Sequence, residues 1–249
     1  MLLTEHIVLD MKNLLTLLLL LLAMGGYAQK HVYEDLLVMY VDEDYEKCMG
    51  KAESYTLNDK TRKDPLPYLY MSMCLYEMSK LEKYQADYPK ASRDALKYAE
   101  KYRKKDKDNE YFANYEDFWA ELNTMGMEEG ENYYEEGSYS KAKQAFDRMV
   151  GYYPENPGAW LMYALCQLKS NLARDAEESL KNFAKAQASM GDIKDLPEDQ
   201  QKLLRMALIR YAEHLNTAGM QDSARSTIEI GKDAFMENDE FKLMYEDLH

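Results

Sequence analysis

Residues 130–154 read GENYYEEGSYSKAKQAFDRMVGYYP, and the spacing inside this stretch decides the fold. Small residues stand at Gly130 and Ala142, aromatic ones at Tyr133, Tyr139 and Phe146, a turn residue at Gly137 and a terminating proline at Pro154. Shifted by about 34 residues, the period of a helix-turn-helix repeat, a similar order of sizes returns. It is carried by Trp160, Tyr163, Ala164, Asn171, Ala176 and Leu180. The two helices of such a unit cross closely, so Gly130, Ala142, Ala164 and Ala176 must be small, while Tyr133, Phe146, Trp160 and Leu180 fill the space between neighbouring helices. The pattern predicts core, not a cofactor box. Two positions depart from it: Gly126 stands where the second stretch has Trp160, and Gln167 where the first has Tyr133. Asn156 followed by Pro157 makes a good helix start, because Asn accepts an orphan amide hydrogen bond and Pro loses nothing in the first turn. Asp64 followed by Pro65 repeats the device upstream.

This size pattern resembles the tetratricopeptide-repeat family, most closely over residues 123–190. The resemblance implies an all-α fold, a right-handed α-α superhelix of about five helical hairpins with a C-terminal capping helix. Flanking hairpins are predicted at residues 31–42 with 44–57, at 65–80 with 91–105, and at 204–217 with 222–237. A long helix containing Trp119 lies between them, and a short cap covers 241–248. Composition agrees: six Pro and eleven Gly in 249 residues leave a chain rich in good helix formers. With 46% hydrophobic residues it can bury a substantial core.

The first 28 residues differ in kind. Lys12 is followed by the apolar run from Leu14 to Met24, broken by Thr16, and then by Gly25, Gly26, Tyr27 and Ala28. That order of basic, apolar and small segments predicts a secretory signal peptide over residues 1–28, cleaved after Ala28, with translation starting at Met11. The run is short for a membrane span, which needs about 20 residues. The mature domain then covers residues 29–249. Loss of Lys12, Glu5 and Asp10 takes 31 basic and 45 acidic residues to 30 and 43, a formal charge of −13. Such a surface repels phosphate backbones, so nucleic acid is not an expected partner. Cys48, Cys74 and Cys166 are odd in number and widely spaced, and read as buried small hydrophobes.

No catalytic or metal-binding constellation is visible, so no enzyme activity, cofactor, metal or small-molecule substrate is expected. Glu213 and His214 are adjacent, and adjacent residues on a helix point about 100° apart. The acidic cluster at Asp106, Asp108 and Glu110 lacks the Gly and the terminal bidentate Glu of a calcium loop, and reads as a solvated connector. The family resemblance implies a binding face made by the first helix of each hairpin. In that register Tyr70, Met73, Tyr134, Leu161, Met162 and Leu165 are the expected partner-binding residues, although the same apolar side chains also suit packing between repeats. The Lys, Arg and Asn residues with which some family members grip a terminal carboxylate are largely missing; Arg210 and Asn216 are the candidates left. The expected function is a scaffold or adaptor of the bacterial cell envelope, periplasmic or secreted, that binds a protein or peptide. A self-associating homo-oligomer is the alternative.

Overall fold

The computed structural model describes residues 33–249, so the expected leader lies outside the described residues. Five helical hairpins follow one another. They pair α1 (Glu34–Val41) with α2 (Tyr45–Leu57), and α3 (Leu66–Lys80) with α5 (Ala91–Lys105) across the single-turn α4 (Glu82–Gln85). Next come α6 (Glu116–Glu135) with α7 (Tyr139–Tyr152), α8 (Pro157–Lys169) with α9 (Ala173–Ser189), and α10 (Glu198–Thr217) with α11 (Gln221–Glu229). The one-turn α12 (Lys232–Phe235) and α13 (Asp239–Leu248) close the array. No strand occurs among the described residues.

Four of these hairpins turn through one device. A residue with positive φ follows the first helix, at Glu43 (59°), Gly137 (72°), Asn171 (59°) and Gly219 (77°). The next amide then reaches back five residues, Asp44 N–H to Met39 O (2.9 Å), Ser138 to Tyr133 (2.8 Å), Leu172 to Gln167 (2.9 Å) and Met220 to Leu215 (2.9 Å). This is the Schellman closure of a helix end, which satisfies carbonyls the helix cannot. The α3–α5 hairpin lacks it, because α4 lengthens that turn.

Within each hairpin the two helices pack on each other, α2 on α3, α5 on α7, α7 on α8 and α8 on α10 join one hairpin to the next, and α11 packs on the closing α13. This sequential packing is that of a helical solenoid. The apolar core runs from α3 to α13, and a second cluster joins α1, α2 and the other side of α3 through Leu36, Cys48, Tyr70 and Cys74. All three cysteines are buried free thiols. The predicted small positions are used as expected: Ala142, Ala164 and Ala176 are fully buried, and a Cβ on Gly130 would meet the Phe146 ring at 2.6 Å. At Gly126, where a tryptophan is missing, Met149 and Leu96 fill the space.

One connection goes beyond nearest neighbours. Helix α10 packs on α8 and also directly on α6. A buried polar ladder ties the three together. Asn156 Oδ1 accepts the Ala159 amide (3.2 Å), its Nδ2 donates to Asn123 Oδ1 (3.1 Å), and Asn123 Nδ2 donates to Asp199 Oδ2 (2.8 Å). Further along, Arg210 of α10 donates to Glu131 (3.2 Å) and Glu135 (2.7 Å) of α6. Gly158 makes the α8–α10 approach feasible, since a Cβ there would lie 2.7 Å from the Leu204 nitrogen and 2.8 Å from the Leu203 carbonyl carbon.

Several expectations need correction. Helix α10 begins at Glu198, not at 204, and the predicted helix 222–237 breaks after Glu229. Asn156 caps α8 as expected, but Asp64 does not cap α3; its carboxylate accepts the Tyr33 hydroxyl instead (2.6 Å). Asp106 is not a solvated connector residue. It is buried, accepts the Tyr102 hydroxyl and the amides of Glu110 (2.9 Å) and Tyr111 (3.1 Å), and so fixes the loop that delivers Phe112 onto Trp119, with ring centroids 4.7 Å apart.

Candidate binding face

The expected binding residues are mostly core. Leu161 is 1% exposed, Met162 and Leu165 are 0%, Tyr70 is 5% and Met73 is 8%. Helix α8 is enclosed by α7, α9 and α10, with α10 joined to α6, so its apolar side chains meet helices rather than a groove. Tyr70 faces the cluster with α1 and α2, while Met73 belongs to the main core. Of the six, Tyr134 is half-buried, edge-on to Tyr139 at 5.3 Å. Burial, then the neighbouring Tyr139, holds its hydroxyl above the usual tyrosine range.

An open face does exist, one step away. A cavity of about 690 Å³ lies where α3, α6 and the start of α10 converge, all three being first helices of their hairpins. Tyr76, Ala120, Met125 and Pro197 give it an apolar floor, and Ser79 and Thr124 add hydroxyls. A second cavity of about 500 Å³ shares Glu121 with it and is lined by Tyr40, Tyr115 and Phe118. These residues are placed there by the early starts of α6 and α10. The sequence carried a signal for the second of these, since Pro197, Glu198 and Asp199 form a proline-led acidic first turn.

The electrostatics of this face are one-sided. Glu121, Glu128, Glu198 and Asp199 line the larger cavity against Lys80 and Lys202. The smaller one adds Glu77, Glu116 and Asp117 with no basic residue. Lys202 is engaged by Glu198 at 2.7 Å and Lys80 by Glu77 at 2.7 Å. Asp199 is half-buried, and loss of solvent raises its carboxyl above the usual range, against the pull of backbone amides and Asn123. Burial first, and then Glu121, Glu77 and Glu128, push the Tyr76 hydroxyl up as well. Arg210, a candidate for gripping a carboxylate, is already surrounded by Glu131, Glu135 and Glu213. His214 sits half-buried 6.4 Å from the Tyr211 ring, and burial lowers its pKa. Among the described residues no group of three or more His, Cys, Asp and Glu side chains is arranged to hold a metal ion. No helix among them is long and apolar enough to cross a membrane.

Helical hairpins at a repeat of about 34 residues, closed by recurring left-handed turns and stacked in sequence, define a helical-repeat protein. A family model described as tetratricopeptide repeat matches residues 133–196, the part of the chain that forms the α7–α9 hairpin region. No curated protein and no solved structure matches the chain.

Proposed function

We propose that the chain is an exported, non-enzymatic scaffold of the bacterial cell envelope that grips a protein or peptide segment in the cavity between α3, α6 and α10. The observation that carries this reading is the convergence of three first helices from three hairpins on one cavity, which lets a single ligand touch several repeats at once. Repeat folds use such surfaces for partners, and tetratricopeptide repeats suggest a protein–protein interaction scaffold. Export rests on the basic, apolar and small segments of residues 12–28. N-terminal sequencing of the protein recovered from the periplasm or medium tests it, with Gln29 the expected first residue.

Ala120 is half-buried at the cavity wall, so Ala120→Trp fills the cavity without touching the core of α8. The expected result is loss of envelope-partner capture with helicity and melting temperature unchanged; full capture by the folded variant would remove the cavity from the reading. A second reading, self-association, draws on α1, where Leu37, Val38 and Val41 are exposed together. Such a cluster on one helix suits a second copy. Sedimentation of the purified chain decides it: a dimer that Val38→Glu dissolves supports that reading, and a monomer removes it.

A further inference from the structure

We infer that the segment held on this face is cationic, a stretch of polypeptide carrying lysine or arginine among small or apolar residues, with its charged heads read by Glu77, Glu121 and Glu128 and by the rings of Tyr76 and Tyr40. This rests on the binding reading above and adds the chemistry of the partner.

Three observations support it. First, the face carries an excess of acid: the two cavities together hold seven carboxylates against two lysines, and no basic side chain lies within 4 Å of Glu116, Asp117 or Glu128 among the described residues. Second, the protein already fills one such cation site with a side chain of its own. Lys80 Nζ stands 4.2 Å from the centre of the Tyr76 ring, 2.7 Å from Glu77 and 3.9 Å from Glu121, at the junction of the two cavities. An ammonium held between carboxylates and an aromatic face is a general way to bind a cation. Lys80 therefore displays the geometry that an incoming lysine would meet. Third, the larger cavity is mainly apolar at its floor, where half-buried Met125 and Ala120 stand beside Pro197 and the edge of the largely buried Tyr76, so the stems between charged heads have a surface to lie on. The two adjoining cavities, of about 690 and 500 Å³, make a track suited to a polypeptide segment rather than to a single small amine.

Lys80 also supplies the test, because its removal has opposite consequences for opposite partners. The full-length chain, wild type and Lys80→Gln, is titrated with a fluorescein-labelled dodecapeptide of Lys-Leu-Ala repeats, with the same peptide acetylated on every lysine, and with its Glu-Leu-Ala counterpart. The cationic peptide should bind at least about tenfold more tightly than the acetylated one and weaken as salt rises from low to physiological strength. Lys80→Gln should tighten that binding severalfold by vacating the site, and Glu121→Gln with Glu128→Gln should weaken it. Preference for the acetylated or the acidic peptide, or loss of affinity in Lys80→Gln, overturns the proposal. So does full displacement of the cationic peptide by equimolar spermidine, which would make the site one for small amines. If Ala120→Trp abolishes capture of an envelope partner while the cationic peptide shows no preference, the face stands and its cationic chemistry falls.

Discussion

At the scale of single residues, the four matched turns form a natural series in which one backbone position is filled by Glu43, Gly137, Asn171 and Gly219 at nearly the same positive φ. A side chain there is strained, and asparagine tolerates it better than glutamate. Gly137→Ala should therefore cost about 1 kcal/mol, which in a chain of this size lowers the melting temperature by about 2–4 °C. Glu43→Gly should raise it by a similar amount, and thermal melts followed by circular dichroism read both. Asp199 makes a second case. Its folded-state pKa is raised, so between the unfolded value of about 3.9 and that raised value the folded chain binds more protons. Its contribution thus weakens folding as pH rises through that window and persists as a cost at pH 7. Asp199→Asn should remove this slope and melt higher at neutral pH while binding a cationic peptide less well, a trade of stability for function. Melting temperatures measured across pH 3.5–7.5 for both chains check it.

At the scale of helices, most of the array was legible from the size pattern. Hairpin limits at 45–57, 66–80 and 91–105 fall within a few residues of the predicted ones, because turns and small crossing positions are local properties. The start of α10 lies upstream of the predicted hairpin limit at 204, because the size pattern passes over the proline-led acidic turn at Pro197. The burial of the expected binding residues escaped the sequence for a different reason. Leu161 and Leu165 lie on a first helix, as Thr124 and Met125 do, and periodicity cannot distinguish them. Which first helix is covered depends on how closely α6 and α10 approach, a relation between residues about 75 apart in sequence, such as Arg210 with Glu135. Gly158 is where that approach can be tested. Gly158→Ala would push a methyl into the backbone at Leu203 and Leu204, and about 1–3 kcal/mol of stability should be lost, measurable as a lower denaturation midpoint with the slope unchanged.

At the scale of the whole molecule, the direct packing of α10 on α6 changes how the array behaves. A solenoid coupled only between neighbours is a sum of repeats and interfaces, and can lose its ends piecemeal. Here residues 116–217 are bound through α6, α8 and α10 as well as in sequence. Chemical denaturation of the full chain, followed by Trp119 and Trp160 fluorescence and by far-ultraviolet circular dichroism, should give coincident transitions. Asn123→Leu breaks the ladder at its centre and should separate them. The same feature has a mechanical side. Pulled from its two ends, a stack of independent hairpins yields in a staircase of small releases, each lengthening the tether by one repeat. A stack stitched across its middle carries the load through side chains that must let go together, so a segment of roughly one hundred residues should snap open in one event, and a scaffold built this way would hold its length under tension until a single threshold.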